Sequence, residues 1–514
     1  MAMLDAVLAV EDPKRFFSRA FKEKRWDGLV RLNDGRRFPA GLTDRVVECL
    51  NDQDVDVSVV DMAETKALDL SRIDAEFLGG VGPNQDQDLW DHQVEAALAL
   101  LALPRGTVKL PTGSGKTELM ALMARFLWEE RGWRTLIVLP RKGLARQTVE
   151  RFNRLYDGDI EVGQCGDGKR EVGTVTVGTA QTLIKFMPSQ RRSRKTKRTV
   201  MIPPDPVLRK MIRDYEVLIL DESHHASSES WYTISMQSGA LRRYGLSGTP
   251  IQHKELADLR MIGATGDIAY SVAPTKLITL GISAAPKICI IASENASGPA
   301  LPTKTEWRTI EGRYQAVQRP LAYPDAYRLG VVENEYHNES VMRAVAWFVD
   351  NGKRTLMLCR SKAHWGLLNM LLDDAGVEYL AVWGDTDTDE RERAKKLLNK
   401  GKIKVVLATT IFDEGEDVPG IDAMVLAEGV KAHTNAIQRI GRGMRAKKGV
   451  NEVWVADFAP TCHGKLVDHA TDRAGAYASE GYDVRVLEEW PKSGEEADGE
   501  LLPFKDWDLT LPEG

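Results

Sequence analysis

The chain of 514 residues predicts an α/β protein, two tandem parallel-sheet domains preceded by a small α+β N-terminal domain. Three observations carry this. Apolar strand-like runs alternate with helical periodicity from Trp90 to about Cys289, the same alternation resumes after about Glu333, and a glycine-rich loop, Pro111-Thr112-Gly113-Ser114-Gly115-Lys116-Thr117, joins the first strand to the first long helix. Alternating strands and helices bury both faces of a parallel sheet, which is why the pattern reads as that fold.

The N-terminal domain is expected over residues 1–82. Leu29-Val30-Arg31-Leu32 and Arg36-Arg37-Phe38 flank Asn33-Asp34-Gly35, a sequence suited to a hairpin turn. Lys14, Arg15, Arg19, Lys22, Lys24, Arg25, Arg31, Arg36 and Arg37 are interleaved with Phe16, Phe17, Phe21, Trp26 and Phe38. Such a mixture can serve nucleic acid, but in a small domain the aromatics more often form the core.

The first α/β domain is expected over residues 83–290, with strands at Thr107–Leu110, Thr135–Leu139, Val175–Val177, Val217–Leu220 and Arg243–Leu246. Glycines let the loop after the first strand turn its N–H groups inward, where they and the positive helix N-terminus meet phosphate oxygens. Thr112, Gly113, Ser114, Gly115, Lys116 and Thr117 therefore form a candidate triphosphate cradle, with Lys116 on the β- and γ-phosphates and the Thr117 hydroxyl on Mg²⁺. A further glycine, expected by the general pattern, is replaced by Leu110. The fourth of these strands ends in Asp221-Glu222-Ser223-His224. At a strand's C-terminal end, Asp221 suits Mg²⁺ and Glu222 suits activation of an attacking water.

Residues 291–332, poor in apolar runs and rich in Pro, Gly, Thr and Arg, read as a connector with room for a short hairpin. The second α/β domain is expected over residues 333–487, with strands at Thr355–Cys359, Glu378–Val382, Lys404–Ala408, Met424–Ala427 and Glu452–Val455. Residues 488–514 are acidic and read as a solvated tail. Arg191-Arg192-Ser193-Arg194-Lys195-Thr196-Lys197-Arg198 reads as a basic loop of the first domain, able to touch a nucleic-acid backbone or to remain a charged surface loop.

Composition is that of an ordinary soluble chain, 43% hydrophobic and 28% charged with a net charge of −6, so a nucleic-acid partner must be sought in local clusters rather than in overall charge. The longest apolar candidate, Ala96–Leu103, falls well short of the roughly 18 residues of a membrane helix. The start of the chain lacks the pattern of a signal peptide. Five scattered cysteines suit neither zinc nor a disulfide framework, and a reducing cytoplasm is expected.

Together these stretches resemble superfamily 2 helicases. Asp221 to His224 has the DExH form of their second motif. Leu89-Trp90-Asp91-His92-Gln93 resembles the glutamine motif, Pro140–Gln147 motif Ia, Val177–Thr182 motif Ib, and Ser247-Gly248-Thr249-Pro250 motif III. Leu358-Cys359-Arg360-Ser361 resembles motif IV, Ala408-Thr409-Thr410 with Glu414–Pro419 motif V, and Gln438–Arg445 motif VI. The resemblance implies two RecA-like domains with ATP in the cleft between them. Gln93 would read adenine beside Trp90, Gly415 and Asp417 would add to the nucleotide site, and Gln438, Arg442 and Arg445 would act on the γ-phosphate from the second domain. Guanidinium groups suit the charge that accumulates there. His224, Ser247 and Thr249 would couple the ATP site to motion. Arg141, Lys142, Arg146, Thr179, Gln181, Arg360 and Thr409 would follow a nucleic-acid backbone without reading sequence.

Within the superfamily, Trp26-Asp27-Gly28, Arg31-Leu32 and Phe38-Pro39-Ala40-Gly41-Leu42 are similar to the front domain of the UvsW-like phage recombination helicases, and the core also resembles the XPB group. That resemblance implies an ATP- and Mg²⁺-dependent 3′-to-5′ motor acting as a monomer on branched DNA, including forks, four-way junctions and RNA-containing hybrids, in a phage-infected bacterial cytoplasm. An RNA helicase, and a nucleic-acid clamp with a silent ATP site, are the competing readings.

Overall fold

The computed structural model describes residues 2–60, 67–79, 88–192, 199–252, 254–293, 301, 303–310, 313–384, 386–409, 420–429, 437, 439–441, 443–444, 451–491 and 495. The chain divides into two compact units, Met1–Val272 and Ala273–Gly514.

The first unit is organised by an eight-stranded sheet. Seven strands are parallel, in the order Ile268–Ser271, Arg105–Lys109, Arg242–Ser247, Val217–Asp221, Thr135–Leu139, Val175–Thr179 and Val162–Gly166, and Lys169–Arg170 adds an antiparallel edge. Every residue of Thr135–Leu139, Val175–Thr179 and Val217–Asp221 is buried, as expected for strands covered on both faces. Of the seven parallel strands, two escape a reading by apolar runs. Val162–Gly166 spells VGQCG, and Ile268–Ser271 is an edge strand with no buried residue.

The N-terminal segment packs into this unit. Leu8, Val10, Leu32, Leu42 and Val46 share a hydrophobic cluster with Leu259, Ile262 and Ala264 of the helix Glu255–Thr265. Gly41 explains the close approach, since a Cβ there would stand 2.0 Å from the Ile262 carbonyl oxygen. The stretch Phe38–Leu42, read as part of a front domain, thus seats that segment on the sheet domain. The expected hairpin is different: Leu29–Arg31 pairs antiparallel with Ala9–Glu11, upstream, rather than with Arg36–Phe38. The turn itself exists, with Gly35 at φ 85° and Asp34 Oδ1 accepting from the N–H groups of Arg36 and Arg37. Those two N–H groups are occupied by a side chain, so the segment after the turn is not used as a strand.

The second unit holds a seven-stranded, wholly parallel sheet. Its order is Tyr379–Val382, Val405–Ala408, Thr355–Leu358, Ala423–Leu426, Glu452–Pro460, Ala285–Ser293 and Asp483–Leu487. Ala285–Ser293, which apolar periodicity assigns to the end of the first domain, is therefore an interior strand of the second, and the division falls at residue 272 rather than 290. The run Ile288–Ile291 is equally apolar on either assignment, so only pairing distinguishes them. Lys304–Ile310 and Arg313–Arg319 form the hairpin for which the connector left room. The start of the acidic tail is anchored: Trp490 is 3% exposed, packs against Trp347 and Phe348, and Trp347 Nε1 donates to the Glu495 carbonyl.

Candidate active site

The glycine loop lies at the C-terminal end of Arg105–Lys109, and Asp221 lies at the corresponding end of Val217–Asp221. One strand, Arg242–Ser247, runs between them, with Ser247 opposite Lys109 and Leu246 opposite Asp221. The three strand ends thereby bring loop, acid pair and Ser247 together.

Gly113 and Gly115 take positive φ, 85° and 78°, which frees the loop's N–H groups to converge. Gly115 is also the N-cap of the helix Lys116–Arg131. A Cβ at Gly115 would stand 2.0 Å from Gln93 Nε2, so no other residue fits without displacing Gln93. Ser114 Oγ is buried with no hydrogen-bond partner among the described residues. Glycine geometry, an orphan hydroxyl and a helix N-terminus fit a phosphate chain.

Lys116 Nζ lies 3.2 Å from Glu222 Oε1. Glu222 sits in the left-handed region, φ 50° and ψ 53°, a conformation that costs a side-chain-bearing residue on the order of 1–2 kcal/mol. Such strain is found where a side chain must be aimed. Glu222 N–H donates to Asp221 Oδ1 at 3.0 Å. Burial first, and the adjacent Glu222 carboxylate second, push Asp221 up to about 7. Burial would raise Glu222 too, but Lys116 and then His224 hold it below the ordinary carboxylate range. The two neighbours are thus driven apart, one ready to take a cation or proton and one kept ionised.

His224 Nδ1 lies 3.0 Å from Ser247 Oγ, and the same hydroxyl is 3.4 Å from Glu222 Oε2 and accepts from Thr249 N–H at 3.1 Å. His225, adjacent, stacks on Trp231 at 5.4 Å.

Gln93 is buried, and its amide clamps two segments: Oε1 accepts from Trp90 N–H at 2.8 Å and Nε2 donates to the Gly115 carbonyl at 2.9 Å. Reading adenine would exchange one of these bonds. Trp90 stacks on His92 at 5.5 Å. Two contributors went unassigned from sequence. His92 Nε2 lies 2.9 Å from the Ser114 carbonyl, and Gln252 Nε2 donates to the His224 carbonyl at 2.9 Å. Their only signal is adjacency to the glutamine motif and to motif III.

Among the candidate backbone contacts, Lys142, Arg146, Gln181 and Arg360 are exposed and Arg141 is half-buried. Thr179 and Thr409 are buried, and Thr179 Oγ1 donates to Thr182 Oγ1, so the Thr179 hydroxyl serves the local fold in this conformation. Gly415, Asp417, Gln438, Arg442 and Arg445 lie outside the described residues, as does the basic loop from 193 to 198. Among the described residues no three His, Cys, Asp or Glu side chains gather as a metal cage. Thr117 and Asp221 are oxygen donors of the kind that Mg²⁺ takes in small number, with phosphate completing its shell. No helix among the described residues is long and apolar enough to cross a membrane.

Comparison with known proteins agrees with this geometry. A family described as "Type III restriction enzyme, res subunit" matches residues 87–252, and "Helicase conserved C-terminal domain" matches residues 337–447. The chain is 24% identical over 496 residues to the ATP-dependent DNA helicase UvsW of Enterobacteria phage T4, covering 91% of each protein. It is 24% identical to the DNA 3′-5′ translocase XPB2 of Sulfurisphaera tokodaii, covering 70% of this chain and 79% of that protein. In fold it is similar to the helicase MrfA in its DNA-bound crystal structure, with a TM-score of 0.52 at 16% identity over 82% of this chain and 52% of that one. Yeast Dbp5 bound to RNA and ADP BeF3 gives a TM-score of 0.51 at 16% identity, covering 79% and 94%. With two RecA-like parallel sheets, a glycine loop facing an Asp-Glu pair, and both helicase halves matched in order, the chain belongs to superfamily 2 of the helicases, ATP-dependent enzymes, and resembles the UvsW and XPB proteins.

Proposed function

We propose that this chain is an ATP-driven DNA helicase and translocase that remodels branched DNA, moving 3′ to 5′ without base specificity. The observation that carries the reading is the pairing of Lys116 with Glu222 across the glycine loop at 3.2 Å, which places a phosphate-binding cation beside an ionised base. Resemblance over nearly the whole chain to a phage DNA helicase, and over most of it to a 3′-5′ translocase, supports DNA as the track.

In this reading the loop N–H groups of Thr112 to Thr117 and the Lys116 ammonium bind the triphosphate, and Gln93 orients the base. Thr117 and Asp221 would hold Mg²⁺, which when bound neutralises phosphate charge. Glu222 accepts a proton from the attacking water. Gly415 and Asp417 would add to nucleotide binding, and Gln438, Arg442 and Arg445 would act on the γ-phosphate. His224, Ser247 and Thr249 pass the state of the site to Gln252 and the helix beyond. Arg141, Lys142, Arg146, Thr179, Gln181, Arg360 and Thr409 line the track, the two threonines through their backbone. The chain works as a monomer, and a phage-infected bacterial cytoplasm is its setting.

ATP turnover measured against single strands, duplexes, forks, four-way junctions and RNA of matched length tests this. Junctions and forks should stimulate most, and a labelled junction should be resolved faster than a tailed duplex. Equal or absent action on the junction removes the branch-remodelling part, and stimulation by RNA alone replaces DNA as the track.

A further inference from the structure

Two of the aromatics near the N-terminus, which could have been core, are not. Phe16 is 60% exposed and Phe17 is 85% exposed. Beside them opens a shallow groove of about 840 Å³, lined by Phe16, Phe21 and Trp26 together with Lys22, Lys24 and Arg25, and bordered by Asp27 and Arg31. The rings form a stepped array, Phe16 edge-on to Phe21 at 5.4 Å and Phe21 edge-on to Trp26 at 6.3 Å.

The array is held in place by the fold beneath it. Trp26 Nε1 donates to the Leu29 carbonyl at 2.9 Å. Arg15 lies over the Phe16 ring at 4.8 Å. Gly28, at φ 85°, permits the packing, because a Cβ there would stand 2.7 Å from Arg15 and 2.8 Å from Phe21. Lys24 ends the short helix Arg19–Lys22 in the left-handed conformation, φ 55°, a position that glycine occupies at least cost. A lysine kept at a strained position, with its side chain on the groove, is more than a helix stop requires.

The charges separate into two sets. Asp27 is engaged by Arg31, and Glu23 by Arg19 and Arg25. Lys22 and Lys24 make no ion pair among the described residues, so the groove carries positive charge that its own carboxylates do not neutralise. Flat apolar faces rimmed by cations suit a ligand that is aromatic and anionic at once. A double helix presents phosphate but keeps its bases stacked inside, whereas a single strand presents both.

We propose that this groove binds single-stranded nucleic acid, with unstacked bases on Phe16 and Trp26 of its lining and on the adjacent, exposed Phe17, and the adjoining phosphates on Lys22 and Lys24. It would hold the strand released by the motor, and in that it rests on the reading of the chain as a nucleic-acid motor. The assignment of bases to these rings is nonetheless independent of ATP chemistry.

The test uses the full chain without nucleotide and three labelled probes: oligo-dT of about 20 nucleotides, an abasic strand of the same length, and a blunt duplex of the same length. Wild-type protein should bind oligo-dT about tenfold or more tighter than the abasic strand. F16A and F17A should each erase much of that difference, and K22A/K24A should weaken both strands and flatten the salt dependence by roughly 1 in the log-log slope. ATP turnover without nucleic acid should not change in any of them. Phe17 is so exposed that F17A leaves the packing intact, and an unchanged circular dichroism spectrum confirms that. Equal affinity of wild type for abasic and dT strands, or wild-type binding by both F16A and F17A, overturns the proposal while leaving the motor untouched. Loss of nucleic-acid-stimulated turnover in the wild type with oligo-dT binding retained would instead sink the motor and spare the groove.

Discussion

His224 Nδ1 and Ser247 Oγ stand 3.0 Å apart, and through that hydroxyl the imidazole is joined to Glu222 on one side and to the Thr249 backbone on the other. The carboxylate that faces Lys116 and the strand end that leads to Gln252 thus share one proton-donating oxygen. Any shift of Glu222 when its partner changes must be felt by the segment after Ser247.

S247A removes this shared oxygen and leaves Lys116 and Glu222 in contact. ATP turnover should stay within about threefold of wild type while strand displacement falls about tenfold or more. Parallel steady-state ATPase and fluorescent unwinding assays check it. A proportionate loss of both would mean that Ser247 serves hydrolysis rather than its transmission.

K116A and E222Q should separate binding from chemistry. K116A loses the phosphate cation, so nucleotide affinity collapses with turnover. E222Q keeps the shape but not the proton acceptor, so a fluorescent ATP analogue should still bind while turnover falls about 10²–10⁴-fold. Weak nucleotide binding by E222Q would show that the carboxylate is needed to build the loop.

Acid should weaken the second unit selectively. His337 is fully buried, with Nε2 at 2.9 Å from the Ala427 carbonyl, and burial lowers it to about 4; His364 is lowered by burial, with His337 adding, to about 3. Both are neutral bases in the native state, and the unfolded chain takes up their protons below about 6.5. Stability is therefore fully present above that pH and is lost as pH falls, by about 1.4 kcal/mol per unit per group until about pH 4. Denaturant midpoints between pH 7 and 4.5 should fall, and H364N should flatten the slope.

W490A should cost about 3–5 kcal/mol, the range for emptying a buried aromatic site. Hydrogen exchange should speed up around Trp347 and Phe348, with protection of the first sheet unchanged. Truncation after residue 495 should leave those amides as in the full chain, because Trp490 and the Glu495 carbonyl remain.

Much of the architecture could be read directly. Where a buried strand is built almost wholly of apolar residues, as Val217–Asp221 is, the run announces it, and the glycines at 113 and 115 announce the loop because no other residue adopts that backbone cheaply. The placing of neighbouring residues, such as Asp221 and Glu222 at a strand end, was equally plain. What escaped depends on distant partners. The run Ile288–Ile291 reveals that it is a buried strand but not which sheet completes it. Leu29–Arg31 finds Ala9–Glu11 because Asp34 has already taken the N–H groups on the other side of the turn. Phe16 and Phe17 have the composition of a core and the exposure of a surface, a difference that only packing decides.

The placement of Ala285–Ser293 between Glu452–Pro460 and Asp483–Leu487 bears on how the protein can be dissected. A fragment begun at residue 333, where sequence periodicity resumes, would lack an interior rung of its own ladder and expose two raw β edges, an invitation to aggregation. Any expressible C-terminal half has to be cut at about residue 273.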